Sequence, residues 1–160
     1  MKTQFTEISG KEISFLREIL YQAIFVPPGI KPYPRSIIDE PAIIKYIDPW
    51  DSKRDFGLII YIDKVPAGAI WGKFLDENNP GYGFIDSETP ELSMAMLPAY
   101  RNQGYGTALI TRFFELAINR DYKAISLSVD RLNPAVRLYK RMGFEIIDAP
   151  GSDYTMKICL

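Results

Sequence analysis

The segment from Glu91 to Thr107 constrains the fold of this chain more than any other. Apolar side chains alternate with smaller ones from Leu92 to Leu97, in the period of a β-strand that ends at Pro98. Gly104 and Gly106 follow and open an amphipathic helix. Because the first turn of a helix leaves backbone N–H groups unpaired, a glycine-rich turn at that point predicts an anion site.

Similar patterns along the chain predict an α+β arrangement of about seven strands and about four helices. We predict strands at residues 4–9, 56–62, 66–74, 91–97, 125–129, 144–147 and 154–158, and helices at 13–25, 36–47 (broken at Pro41), 104–119 and 134–142. Ser9 and Glu12 match a capping box for the first helix. Since no repeat or linker interrupts these elements, we expect one domain over residues 1–160.

The absence of histidine limits the chemistry of the chain. Ser–His–Asp triads, Cys–His pairs and histidine-ligated zinc are excluded, so a catalytic proton must move through a carboxylate, a tyrosine, the backbone or a cofactor. The single cysteine, Cys159, excludes an internal disulfide and a cysteine-cluster metal site, and it favours a cytoplasmic location.

The charge balance also excludes classes of partner. Nineteen Lys and Arg residues face twenty Asp and Glu residues, for a net charge of -1. The chain therefore lacks the positive field that phosphate-backbone binding needs, and we expect no nucleic acid partner. No run approaches the roughly 18 apolar residues of a membrane span, and the first residues are polar, so we expect neither a membrane partner nor secretion.

Two further side chains favour a phosphate ligand at the glycine turn. Arg101 adds a positive charge before the turn, and Thr107 adds a hydroxyl after it. Glycine at 104 and 106 lets a pyrophosphate approach the backbone donors, which a larger side chain would prevent. The same glycines also suit an ordinary tight turn between a strand and a helix, so the motif by itself leaves both interpretations open.

Two motifs in sequence order make the chain resemble the GCN5-related N-acetyltransferases (the GNAT family). The first is Arg101-x-x-Gly104-x-Gly106 behind a strand that ends in Pro98. The second is Asn133-Pro134-Ala135 followed by Tyr139 to Gly143-Phe144. The resemblance implies a three-layer fold with a mixed, mostly antiparallel twisted sheet, in which the fourth strand separates from the fifth at a bulge.

The resemblance also implies acetyl-coenzyme A as co-substrate, with no metal. Backbone groups of the fourth strand would pair with the pantetheine arm, and the glycine turn would surround the pyrophosphate. The cofactor-binding residues that it implies are Met94, Ala95, Met96, Arg101, Asn102, Gln103, Gly104, Tyr105, Gly106, Thr107 and Asn133. An added-strand pairing with an amide-rich arm is physically reasonable, because a bulged strand leaves backbone groups free.

Transfer of an acetyl group needs a base, an oxyanion donor and an acid. By resemblance Tyr139 faces the sulfur, so it is our candidate acid. The backbone N–H near Met94 or Ala95 is our candidate oxyanion donor. Glu91 begins the fourth strand and is our candidate base, acting directly or through water, although a carboxylate in that position also suits a solvated strand end. The resemblance assigns no base.

The acceptor is expected to be a small-molecule or peptide amine. Its pocket is predicted where the first two helices and their proline-rich loop meet the fourth strand and the last hairpin. Aromatic side chains available to line the pocket are Phe25, Tyr33, Trp71, Tyr82 and Phe84. Asp76, Glu77 and Asp86 are candidates for attracting a cationic amine. Since many relatives pair through sheet edges, a homodimer is one expected arrangement.

The same residues suit two other functions. A dinucleotide-binding protein would use Gly104 and Gly106 with Asp130 on the next strand, but the third glycine of that fingerprint would fall at Leu109. It would also leave Asn133 and Tyr139 unexplained. The other alternative is a non-catalytic module that retains a coenzyme A fold.

Overall fold

The seven predicted strands form one sheet. The computed structural model describes all of residues 1–160 and gives the strand order β1-β2-β3-β4-β5-β7-β6. The strands are β1 (Thr3–Glu7), β2 (Phe56–Ile62), β3 (Val65–Lys73), β4 (Glu91–Met96), β5 (Ala124–Asp130), β6 (Glu145–Asp148) and β7 (Asp153–Cys159). Neighbouring strands are antiparallel except β4 and β5, which are parallel. The predicted mixed, mostly antiparallel sheet is confirmed.

Four α-helices flank the sheet, as predicted. They are α1 (Ile13–Ala23), α2 (Pro41–Ile44), α3 (Tyr105–Asn119) and α4 (Ala135–Arg141), with 3₁₀ helices at Arg35–Asp39 and Pro98–Tyr100. The first helix stops before Phe25 because the backbone is already extended at Ile24. The second helical region divides at Glu40, whose extended backbone follows from the proline at position 41.

The capping box forms in part. The carboxylate of Glu12 accepts hydrogen bonds from the backbone N–H groups of Ser9 and Gly10 at 3.0 and 3.1 Å. However, α1 begins only at Ile13, and the Ser9 hydroxyl accepts from Lys11 N–H at 3.4 Å rather than from an N–H of α1. The contact therefore orders the turn before the helix, and the predicted reciprocal cap is wrong.

Helices cover both faces of the sheet and enclose two hydrophobic cores. On one face, α3 and α4 bury Leu109, Phe113 and Val136 against the strands. On the other face, α1 packs with the 3₁₀ helix at Arg35–Asp39 and with the segment after α2, and together they cover the buried side chain of Trp71. The indole N–H of Trp71 donates to the carbonyl of Tyr46 at 2.8 Å. Trp71 is therefore a core residue and is not available to line the acceptor pocket.

The sheet opens between β4 and β5. These two strands pair only at Glu91 and Ser126, whereas β4 pairs with β3 along its whole length. The predicted separation of the fourth and fifth strands is thus confirmed. The β3–β4 register has no shift, so the opening does not come from a bulge against β3. It arises because β5 diverges from β4 beyond this single pair.

Candidate active site

The turn before α3 presents a row of free backbone donors. The backbone N–H groups from Asn102 to Thr107 have no hydrogen-bond acceptor within the protein. Asn102 and Gly104 have positive φ angles of 59° and 87°, which turn the chain so that successive N–H groups converge. A Cβ added at Gly104 would meet no atom within 4 Å. The space over these donors is therefore open to an anion.

Gly106 is required for a different reason. A Cβ at this position would lie 3.1 Å from Cδ2 of Leu138 on α4. This glycine allows the first turn of α3 to approach α4 closely, so the two glycines of the motif have separate roles. Gly104 leaves the anion site open, and Gly106 brings the two helices together.

Arg101 lies at the turn, but its side chain is held by the protein. Its Nε donates to the carbonyl of Met96 at 3.1 Å, and its Nη2 donates to Oε1 of Gln22 on α1 at 2.9 Å. The guanidinium thus fixes the end of β4 and links the turn to α1.

A second arginine supplies charge to the helix start. Arg141, near the end of α4, donates to the hydroxyl of Thr107 at 3.2 Å. The two residues are 34 positions apart in sequence, and no motif in the sequence pointed to Arg141. Only the packing of α4 beside α3 places this guanidinium at the free N–H groups.

The edge of β4 that faces the opening carries free backbone groups. The N–H of Leu97 points toward β3, where it donates to Ala67 at 2.8 Å. Because backbone groups alternate direction along a strand, those of Met94 and Met96 face β5, and those of Ala95 face β3. Of the two candidate oxyanion donors, the geometry therefore favours the N–H of Met94. The carbonyl of Met96 is taken by Arg101.

Other predicted cofactor residues have defined local contacts. Oδ1 of Asn133 accepts from the N–H of Ala135 at 2.9 Å, so Asn133 caps the start of α4. The Gln103 side chain donates to the carbonyl of Ala99 at 3.0 Å. The side chain of Tyr105, at the start of α3, packs on the α3/α4 core.

Tyr139, on α4, lies in the core between the sheet and the helices α3 and α4. The residue is 7% exposed, and its ring packs edge-on against Phe144 at a centroid distance of 5.8 Å. Its hydroxyl makes no hydrogen bond to the protein, and burial raises the pKa of Tyr139 to about 12. The phenol therefore carries its proton at neutral pH and has a free donor.

Glu91 lies at the vertex of the opening on the opposite face. It is 3% exposed, and burial raises the pKa of its carboxyl above the usual range, an effect that bonds from Tyr46 and Gly83 partly oppose. The alternative of a solvated carboxylate at the strand end is therefore wrong. Tyr139 belongs to the α3/α4 core, whereas Glu91 bonds to Tyr46 in the core on the other face of the sheet.

The loop between β3 and β4 forms the outer wall beside Glu91. Gly83 lies so close to the backbone of Leu127 on β5 that a Cβ would be 2.6 Å from its carbonyl carbon. Tyr82 is 60% exposed at the tip of the loop, Tyr33 is also exposed, and Phe25 and Phe84 are half-buried.

A cavity of about 300 Å³ lies near the start of β5 and the end of β7, on the far side of the vertex. Its charged lining consists of Asp86, Glu88, Asp121, Lys123 and Lys157. Asp86 therefore faces this cavity. The side chain of Asp76 instead accepts from the backbone N–H groups of Asn78 and Asn79 within its own loop.

No helix is both long and apolar enough to cross a membrane. No group of three or more Cys, Asp or Glu side chains is placed to hold a metal ion.

Sequence comparison identifies the family of this fold and site. The model of the acetyltransferase (GNAT) family matches residues 18–144. The chain belongs to this family, which makes it an acyltransferase. No curated protein matches the sequence.

Solved structures share the fold across the full chain. PaiA N-acetyltransferase from Thermoplasma acidophilum, solved with coenzyme A, is 18% identical with a TM-score of 0.70, and both chains are covered completely. YncA from Salmonella typhimurium, solved with its cofactor acetyl-CoA, is 16% identical with a TM-score of 0.72, over 100% of this chain and 95% of that one. Ard1 from Thermoplasma volcanium is 20% identical with a TM-score of 0.66, over 100% of this chain and 99% of that one. At these identities the likeness is one of fold.

Proposed function

We propose that this enzyme transfers the acetyl group of acetyl-coenzyme A to a primary amine of a small molecule or peptide by direct attack in a ternary complex. The observation that carries the proposal is the junction of two unpaired backbone surfaces. The free edge of β4 beside the opening leads directly into the free N–H groups from Asn102 to Thr107. An amide-containing arm that ends in a pyrophosphate matches this junction in shape and in hydrogen-bonding chemistry.

The cofactor would be bound largely by backbone. The backbone groups of Met94 and the N–H of Met96 face the pantetheine arm, and the turn from Arg101 through Thr107 surrounds the pyrophosphate. Arg141 supplies the nearest positive charge, because it already contacts Thr107. The structures of PaiA with coenzyme A and of yncA with acetyl-CoA support this placement through the shared fold. Asn133 acts at the start of α4, where its capping bond fixes the helix that carries Tyr139.

The chemistry then follows from the residues around the opening. The amine nitrogen attacks the thioester carbonyl carbon, its electron pair forms the C–N bond, and its proton passes to Glu91. The negative charge that develops on the carbonyl oxygen is stabilised by the N–H of Met94. The C–S bond breaks, and the departing sulfur takes a proton from Tyr139. Because base and acid lie on opposite faces of the sheet, each acts without obstructing the other.

The first test is a titration of the purified protein with acetyl-coenzyme A, coenzyme A and NAD. We expect both coenzyme A ligands to raise the melting temperature, because a ligand that binds only the folded state stabilises it. NAD should give no shift. A panel of amines is then assayed for thiol release from acetyl-coenzyme A. Binding without release to any amine would favour a non-catalytic coenzyme A module, and a shift with NAD alone would overturn the assignment.

We also propose a cytoplasmic location and a homodimer. The free, exposed thiol of Cys159 suits the reducing cytoplasm. β6 is an edge strand whose Ile146 and Ile147 are exposed, and it offers a surface for pairing two copies. Sedimentation of the wild type and of an Ile147→Lys variant tests the dimer. A monomeric wild type would contradict it.

A further inference from the structure

The two oxygens of the Glu91 carboxylate have different surroundings. Oε2 accepts a hydrogen bond from the Tyr46 hydroxyl at 2.6 Å and another from the backbone N–H of Gly83 at 3.1 Å. Oε1 is buried and has no hydrogen-bond partner. Such an orphaned oxygen is costly in a folded protein, so its presence calls for a functional explanation.

Tyr46 also connects the carboxylate to the loop that covers it. Its hydroxyl oxygen accepts from the backbone N–H of Tyr82 at 2.8 Å while its proton is donated to Glu91. The ring of Tyr46 is buried in the core between α1 and the sheet, and its own carbonyl is fixed by Trp71. The phenol is therefore a rigid donor.

The free oxygen lies against the loop between β3 and β4. A Cβ at half-buried Gly81 would lie 2.3 Å from Oε1 and 2.6 Å from the Tyr46 hydroxyl, so only a glycine lets the loop backbone approach this oxygen so closely. At the vertex, Ser126 on β5 pairs with Glu91 and shares its face of the sheet. The Ser126 hydroxyl is fully buried and likewise has no partner.

We propose that Tyr46 is a positioning residue for the Glu91 base: it occupies Oε2 and leaves Oε1, on the face shared with Ser126, as the atom that takes the proton. This inference rests on the proposed acetyl transfer. In the step itself the N–H bond of the attacking amine breaks, its electron pair stays on nitrogen, and the proton moves to Oε1. A carboxylate held at one oxygen presents the other in a fixed direction, which proton transfer requires.

The remaining groups around Glu91 do not compete for this role. Lys45, beside Tyr46, has its amino group bonded to the loop at Asn79 and Pro80. Lys73 pairs with Glu91 across the β3–β4 ladder, but its amino group is 2.7 Å from Asp55 in a buried ion pair. Burial and the nearby carboxylate raise the pKa of Tyr46, so the phenol remains a donor across the working pH range.

The test is Tyr46→Phe, which keeps the buried ring and removes the hydroxyl. A hydrogen bond to a carboxylate favours its charged form, so its loss raises the pKa of Glu91. With an acceptor whose amine is neutral throughout, the acidic limb of the pH–rate profile should move upward by about one to two pH units. Tyr21→Phe is the matched control, because the Tyr21 hydroxyl donates to the carbonyl of Tyr33 at 2.6 Å, away from Glu91. It should leave the limb in place.

A second measurement needs no turnover. Carbon-13 NMR of protein labelled at glutamate carboxyls follows Glu91, assigned through Glu91→Gln, and should give the same upward shift in Tyr46→Phe. Gly81→Ala, which crowds the same contact from the loop, should also move the titration. It serves as the second variant if Tyr46→Phe does not fold.

The outcomes separate the two proposals. An unmoved Glu91 titration in a folded Tyr46→Phe protein overturns the positioning role, whatever the activity. Full activity of Glu91→Gln with any acceptor also overturns it, and leaves acetyl transfer intact. Absence of acetyl-coenzyme A binding would defeat the proposed function by itself, while the NMR shift would still report on Tyr46.

Discussion

Arg101 and Gln22 are joined by a 2.9 Å hydrogen bond between a guanidinium nitrogen and the amide oxygen, although they lie 79 positions apart. The same guanidinium holds the carbonyl of Met96 at the end of β4. The arginine that begins the glycine motif thus ties together α1, the end of β4 and the turn before α3. This arrangement favours a role in shaping the cofactor site over direct contact with phosphate.

Arg101→Ala is expected to weaken the binding of coenzyme A and the binding of a truncated pantetheine thioester by similar factors. Both ligands need the ordered end of β4. The loss of the two bonds should also lower the free energy of unfolding by about 1 kcal/mol. Calorimetry with both ligands measures the first effect and urea unfolding the second. Gln22→Ala, which removes only the bond to α1, should give a smaller loss. A defect confined to coenzyme A would mean that the guanidinium swings to the phosphates.

Gly104→Glu is expected to abolish stabilisation by acetyl-coenzyme A, because it puts bulk and negative charge over the free N–H groups. Gly29→Glu is the matched control. Gly29 has a φ of 84° against 87° at Gly104, and neither has an atom within 4 Å of a built Cβ. Both variants should bear a similar cost of backbone strain, and only the first should lose the thermal shift. If acetyl-coenzyme A raised the melting temperature of both variants equally, the anion site would be contradicted.

Arg141→Ala is expected to weaken the binding of coenzyme A about tenfold or more, since contacts between a guanidinium and a charged group contribute roughly 1.5–3 kcal/mol. The truncated pantetheine thioester should be little affected, because it has no phosphate. Arg137→Ala, which changes another exposed arginine of α4, is the control. Equal losses for both ligands in calorimetry would place Arg141 in a structural role.

Tyr139→Phe is expected to lower turnover with little change in cofactor affinity. It retains the ring against Phe144 and removes the proposed donor to sulfur. General acid catalysis contributes about 10²- to 10⁴-fold, and the low end is expected here because a thiolate leaves readily. The measurement is kcat under conditions where chemistry limits the rate. Tyr122→Phe is the control, because the Tyr122 hydroxyl donates to the backbone carbonyl of Arg54 at 2.8 Å. Wild-type turnover in Tyr139→Phe would remove this residue from the mechanism.

Glu91→Gln is expected to change the pH dependence of stability. Burial raises the folded pKa of Glu91 above its usual value of 4.5, so the folded protein binds more protons than the unfolded chain in the window above that value. Stability contributed by the protonated carboxyl is then lost as pH rises through the window. Glutamine does not titrate, so the melting temperature of the variant relative to wild type should increase from pH 5 to pH 8.

Melting curves at several pH values check this sign, with exposed Glu88→Gln as the control. A difference that does not vary with pH would mean that the carboxyl keeps its ordinary pKa when folded. In kinetics, the loss of turnover in Glu91→Gln should shrink as pH rises, because the free amine then becomes abundant without a base.

Short stretches of the sequence predict the local elements and an anion site at the turn before α3. Alternating side chains in β4, and glycines that suit the turn before α3, act over a few residues through backbone sterics and hydrogen bonding. These short-range effects also account for the number of strands and for the helix break at Pro41. Two motifs in order then sufficed to predict the family.

The side chains that meet at the site come from distant parts of the chain and are brought together by tertiary packing. Tyr46 reaches Glu91 across 45 positions, Arg141 reaches Thr107 across 34, and Arg101 turns to Gln22 across 79. No periodicity encodes such partners, because they depend on how helices and loops pack on the sheet. Burial of Glu91 follows from the same packing. Its raised pKa is therefore a property of the assembled fold, since only removal from water disfavours the charged carboxylate.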